Sequence, residues 1–139
     1  MKKHIFALKS ALPHTIPVLS GYLVLGAAYG ILMNRQGISI PWIALSSIFI
    51  YAGSMQYVAV ALLSTGFDYI GTFLMTIMVN ARHIFYGISF LQKYRNMGAV
   101  KPYLIFSLTD ETFSLLCSTT PPDGIEVKWF YFYISLLNH

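Results

Sequence analysis

Apolar runs of helical length, set apart by short polar breaks, organise this chain. Residues 15–33, 42–63, 69–90 and 102–118 are dominated by aliphatic and aromatic side chains, and a further run fills 128–139. A helix rises about 1.5 Å per residue and bilayer hydrocarbon is about 30 Å thick, so a crossing takes about 20 residues. The first four runs are therefore predicted as complete spans. The 12 residues of the last run reach only about 18 Å as helix, a partial fifth span that stops within the membrane. The expected fold is all-α: a polytopic membrane helical bundle, one transmembrane domain over residues 1–139.

The breaks carry their own signals. Residues 1–14 form a basic, partly amphipathic lead, with Ile5, Phe6 and Leu8 near Lys2, Lys3 and Lys9, suited to a cytoplasmic headgroup surface. Pro17 suits a first helical turn with Thr15 as its cap, which sets the start of the first span. Pro13, His14 and Pro17 interrupt the N-terminal apolar stretch, and the apolar character runs on to Met33, so a cleaved signal peptide is the weaker reading. Gly26 and Gly30 would let another backbone approach, for which ordinary tight packing is the simpler account. Trp42 is placed as an interfacial anchor for the second run. At the middle of that run stands Tyr51-Ala52-Gly53-Ser54-Met55-Gln56. Small residues followed by an amide suit a discontinuous helix that offers backbone groups to a polar solute. They equally suit an intact helix whose Gln56 bonds a neighbour. Pro121-Pro122-Asp123-Gly124 marks the turn before the last run.

Composition narrows the class. The chain is 56% hydrophobic and 10% charged, against about a quarter charged in soluble domains. Its net charge of +4 collects in flanks and loops such as Lys2, Lys3, Lys9, Lys93, Arg95 and Lys101, a positive-inside bias rather than a nucleic-acid surface. Simple crossings would place the basic loop 92–101 opposite the N-terminal lysines, against that rule. A second run that dips in and returns through Gly53-Ser54 would keep both basic segments cytoplasmic, with only Arg35 outside. Cys117 stands alone, without a disulfide partner or a Cys or His at metal-ligand spacing, and is expected as a small core residue. No metal cluster, phosphate loop or dinucleotide fingerprint is present, so no cofactor is expected.

Polar groups within the apolar runs are where chemistry is expected. Arg82 lies well inside 69–90, and an arginine near the centre of a spanning helix costs roughly 2.5–3.5 kcal/mol on insertion scales, so it must face protein or a wet cavity. Snorkelling to an interface is the bland alternative, but residues 84–91 continue apolar. Asp110 and Glu111, inside the fourth run, are the candidate countercharges. Adjacent in sequence, they point about 100° apart, so one can answer Arg82 while the other meets a solute, a proton or a helix end. Their bland reading is that both stabilise buried helix contacts. Asn80, His83 and Gly87 share one helical face, whereas Arg82 groups with Tyr86 and Ser89, a spread that suits a helix enclosed by protein. Histidine titrates near neutrality, which makes His83 a further candidate for proton relay.

Four stretches in order carry a family resemblance: Gly21-Tyr22 with Gly26 and Gly30, then Tyr51-Ala52-Gly53-Ser54-Met55-Gln56, then Asn80-Ala81-Arg82-His83, then Leu108-Thr109-Asp110-Glu111-Thr112-Phe113. Together they resemble the large subunit of the two-component branched-chain amino acid exporters, the AzlC-type permeases. The resemblance implies a multi-pass protein of the bacterial cell (inner) membrane, a transporter rather than an enzyme. It implies a small hydrophobic membrane subunit of the AzlD type as partner. It also implies export of leucine, isoleucine, valine or related apolar amino acids, driven by the proton motive force. Members of that family are substantially longer, so the resemblance implies a C-terminally truncated form. An inactive fragment, or a structural or regulatory membrane subunit, is the alternative reading.

The residues fit the same chemistry. Arg82, or backbone N–H groups near Gly53 and Ser54, suit an amino acid's carboxylate. Asp110 or Glu111 suits its ammonium group or a proton, and Met55, Phe85 and Phe113 suit its apolar side chain. Gln56, Asn80 and His83 complete the expected substrate or proton pathway. An intramembrane hydrolase using Ser54, His83 and Asp110 is conceivable from residue types, but neither nucleophile-elbow spacing nor a second oxyanion donor is recognisable.

Overall fold

A computed structural model describes residues 2–66 and 68–139, with side chains from His4 onward, and the regular elements among them are all helical. The expected all-α class is what the chain adopts. Helix α1 spans Lys2–Arg35 and runs through Pro13 and Pro17, so the helix starts well before the cap expected at Thr15. A proline inside a helix removes one N–H donor and costs about 3 kcal/mol. Thr15 is fully buried, and its hydroxyl bonds back to the Leu12 carbonyl at 2.9 Å instead of capping. What offsets the prolines is contact with α8 (Val127–Asn138). Ala11 lies in a shared core, His4 packs edge-on against Trp129 at 4.2 Å and reaches the Tyr133 hydroxyl at 3.2 Å, and His14 meets the Phe130 ring. The lead that the sequence places on a headgroup surface is thus the first part of a long helix fastened to the last one.

Between them lie α2 (Ile40–Ile50), α3 (Gly53–Thr65), α4 (Tyr69–Asn80), α5 (Arg82–Phe90), a short 3-10 turn (Gly98–Val100), α6 (Lys101–Phe106) and α7 (Asp110–Ser118). Three apolar runs are each delivered as two shorter helices. The second divides at Tyr51 and Ala52, the third at Ala81, and the fourth at Ser107, Leu108 and Thr109. Among the described residues one helix, His4–Arg35 within α1, is long and apolar enough to cross a membrane; its 32 residues extend about 48 Å at 1.5 Å per residue.

The chain divides into two compact units, Met1–Tyr22 with Tyr86–His139, and Leu23–Phe85. In the first, Phe90, Tyr94, Leu104, Leu108, Leu116, Phe130 and Ile134 form one buried cluster. Phe113 stacks on Tyr86 at 4.4 Å and leans on Phe90 at 5.1 Å, which fixes α7 against the end of α5. Lys93 places its ammonium over Phe90 and donates to the Leu116 carbonyl at 3.3 Å, where a cation complements the negative end of α7. Cys117, expected in the core, is exposed. It sits one position beyond the buried Leu116.

The second unit has a small core, Tyr29, Met33, Ile43 and Val60, flanked by Ile38 and Tyr57. Tyr29 donates to or accepts from Ser46 at 2.9 Å, and Tyr57 donates to the Leu25 carbonyl at 2.6 Å. Asp68 caps α4 by accepting from the Ile70 and Gly71 N–H groups at 3.1 and 3.0 Å. A side chain at position 71 would meet that carboxylate and oblige it to shift.

Candidate functional site

The division of the second run builds the first constellation. Tyr51 ends α2 in the left-handed conformation (φ 44°, ψ 41°), alone among described non-glycine residues in having positive φ. Such a conformation costs an L-residue about 1–2 kcal/mol and usually falls to glycine at a helix end. Ala52 (φ −130°, ψ 78°) then turns the chain into α3. Ala52 has no side-chain acceptor to cap the helix, and the intrahelical ladder resumes only with the Gln56 N–H on the Ala52 carbonyl at 2.9 Å. The first turn of α3 therefore presents backbone N–H groups and the positive end of the helix dipole at exposed Gly53 and Ser54.

Arg82, half-buried at the start of α5, donates from Nη2 to the Ser54 hydroxyl at this same turn. Guanidinium and helix N-terminus thus converge on one place, an arrangement that favours an anion. Gln56 donates from Nε2 to Ser47 at 3.3 Å and so ties α3 to α2 across the break. At the α4–α5 junction the other expected residues engage the backbone. Asn80 donates from its amide to the Thr76 carbonyl at 2.9 Å, and the exposed His83 sets Nδ1 3.2 Å from the Asn80 carbonyl.

The second constellation belongs to the other unit. Thr109 caps α7, its hydroxyl accepting from the Thr112 N–H at 3.3 Å, and Asp110 and Glu111 occupy the first turn, where carboxylates complement the dipole. Tyr22 of α1 donates its phenolic proton to Glu111 Oε2 at 2.7 Å and lies 2.9 Å from the Thr109 hydroxyl. Tyr22 is absent from the expected pathway. Its place beside Gly21 in the family-like stretch was the available signal, but sequence spacing gives no pairing across 89 residues. Of the expected apolar lining, Phe113 is committed to its aromatic stack, Met55 is half-buried and Phe85 is exposed. Among the described residues no three His, Cys, Asp or Glu side chains gather in a way that could hold a metal ion.

Comparison with known proteins joins these features to a lineage. A family profile described as AzlC protein matches residues 17–139. The branched-chain amino acid transport protein AzlC of Bacillus subtilis is 47% identical over 133 residues, covering 96% of this chain and 52% of that protein. An uncharacterized membrane protein of Helicobacter pylori is 42% identical over all 139 residues and 61% of its own length. One from Haemophilus influenzae is 40% identical over 134 residues and 55% of its length. The chain thus spans between half and two thirds of the length of these curated relatives. No solved structure matches. With the profile covering most of its length and the four family-like stretches inside the match, the chain belongs to the AzlC family.

Proposed function

We propose that this chain acts in an AzlC-type permease that exports branched-chain or related apolar amino acids across the bacterial inner membrane. The observation that carries the reading is the convergence of Arg82 with the uncapped first turn of α3 at Ser54. Paired N–H donors and a guanidinium are what the carboxylate of an amino acid requires. The name of the Bacillus subtilis relative supports the substrate class. In the other unit, Asp110 and Glu111 are the acids that carry the proton coupling transport to the proton motive force. The runs 15–33, 42–63, 69–90, 102–118 and 128–139 lie in the membrane as a multi-pass bundle, with broken helices exposing backbone where the pathway is wet. A small AzlD-type subunit completes the transporter.

Binding of labelled leucine, isoleucine and valine to the purified chain in lipid nanodiscs tests the carboxylate site. Leucine should bind and leucinamide, which lacks the carboxylate, should bind far more weakly. Equal affinity for the two would remove Arg82 and α3 from recognition.

A further inference from the structure

The two halves of the second apolar run lie side by side, and their contacts are in register about the break. At the break itself Gln56 donates to Ser47 at 3.3 Å. One step further out, the Tyr29 hydroxyl of α1 meets Ser46 at 2.9 Å while its ring lies 6.1 Å from that of Tyr57. Ile43 and Val60 share one small core. At the far end Gln36, just before α2, donates to Ser64 near the end of α3 at 2.6 Å. On one unbroken helix Ser47 and Gln56 would stand about 13 Å apart along the axis and on opposite sides of it. Helices α2 and α3 therefore double back as a helical hairpin with Tyr51 and Ala52 at its tip. Its depth follows from its length. The 11 residues of α2 rise about 16 Å, against about 30 Å of hydrocarbon, so the tip stops near the middle. Helix α1 gives the same figure: Tyr57 donates to the Leu25 carbonyl at 2.6 Å, and Leu25 precedes Arg35 by about 15 Å of helix. The open end carries the marks of an interface. Arg35, Gln36, Ser39, Ser64 and Thr65 are all exposed there. Trp42 and Tyr69, at the starts of α2 and α4, are 67% and 79% exposed, as aromatic anchors at headgroup level are.

We propose that α2 and α3 form a re-entrant hairpin, which enters and leaves the membrane on the face that carries Arg35 and sets Ser54, with its partner Arg82, near mid-depth. This rests on the membrane placement above and not on the identity of the solute. Backbone freed at such a tip is tolerated in a bilayer only against protein or water, and Arg82 supplies a protein contact there. The charge rule assigns the face: Arg35 is the only Lys or Arg in residues 34–69, so this is the outer side. A second run that merely kinked while crossing would separate positions 39 and 65 by the whole membrane. The hairpin keeps them together.

The test is cysteine accessibility in the full chain expressed in cells, with Cys117→Ser removing the exposed native thiol. Single cysteines are introduced as Ser39→Cys, Thr65→Cys and, in the basic loop, Asn96→Cys, all at exposed positions. A membrane-impermeant maleimide should label Ser39→Cys and Thr65→Cys in intact cells, and Asn96→Cys only after permeabilisation. A second measurement needs no assignment of faces. Ser47→Cys combined with Gln56→Cys should be joined within one chain by a bis-maleimide spanning about 8 Å, a reach that an unbroken helix would exceed. Mass spectrometry of the digested chain reads the link. Labelling of Ser39→Cys and Thr65→Cys from opposite faces, or a tip pair that the reagent labels without joining, would overturn the hairpin. Release of the parent chain by alkaline carbonate would overturn the membrane placement and this inference together; opposite-face labelling in a retained chain would overturn this inference alone.

Discussion

Arg82 shows how far a single residue can be read in advance. Burying a guanidinium in an apolar run demands an answer elsewhere, and that demand is visible in the sequence. What answered within its own unit was not legible: Ser54, 28 residues earlier, meets Arg82 because α2 and α3 part at Tyr51. Tyr51 is an aromatic residue in a conformation that glycine normally takes, and no local propensity predicts that. Arg82→Gln should reduce leucine affinity tenfold or more, about 1.5 kcal/mol or above for a lost charged donor. Ser54→Ala, which keeps both the guanidinium and the backbone N–H groups, should cost at most about threefold by the same scale. A larger loss for Ser54→Ala than for Arg82→Gln would invert the assignment.

Tyr94 offers a residue-scale check that is independent of transport. It lies in the turn after α5 with its hydroxyl buried and without a hydrogen-bond partner among the described residues. Burial, with Tyr131 and Cys117 nearby, pushes its phenol well above the ordinary range. The folded chain therefore keeps this proton at pH values where the unfolded chain releases it. The sign follows: the contribution is fully present below about pH 10 and declines as the pH climbs beyond it. Tyr94→Phe should flatten that alkaline decline and leave stability at pH 7 unchanged or higher, by about 1 kcal/mol at most, since only an unsatisfied hydroxyl is removed. Melting curves between pH 7 and about pH 11 read both effects.

At the scale of elements, periodicity and length located the apolar runs, while breakers misplaced some boundaries. Pro17 reads as a helix start and Pro13 as an interruption before it, yet α1 continues through both because α8 packs on its first turns. That contact joins residues more than a hundred positions apart, beyond the reach of any local signal. Pro17→Ala should restore an interior N–H and stabilise the fold by about 1–3 kcal/mol, read as a higher thermal midpoint. No gain would mean that the helix is interrupted there after all. Ala81 and the stretch at Ser107, Leu108 and Thr109 were equally hidden, since neither carries a proline or glycine. Thr109 acts as a cap, and threonine before two acids is a start signal that the surrounding apolar residues obscured. Gly71→Ala should displace Asp68 and lose the α4 cap, about 1 kcal/mol, with a matching loss in Asp68→Ala and no further loss in the double variant.

For the whole molecule, the telling feature is apolar surface left uncovered. Leu23, Val24, Ile40, Phe49, Ile70 and Met78 are each more than 70% exposed, in a unit whose buried core is only Tyr29, Met33, Ile43 and Val60. Soluble monomers rarely tolerate contiguous apolar exposure on such a scale; lipid or further protein covers it. The chain should therefore stay with the membrane through alkaline carbonate extraction, and its release into the supernatant would contradict a bilayer-embedded unit. Composition made this class legible at once, because a hydrophobic surplus cannot be hidden inside 139 residues. The pairing of Tyr22 with Glu111 was not legible, because it depends on where α1 lies against α7.

The central claim is transport, and efflux tests it most directly. Cells lacking their own branched-chain amino acid exporter are preloaded with labelled leucine, isoleucine and valine, and express this chain with and without a small AzlD-type subunit. The expected result is efflux that needs both chains, falls when the proton motive force is collapsed, and is lost in Arg82→Gln. Absence of efflux with both chains stably in the membrane would contradict it.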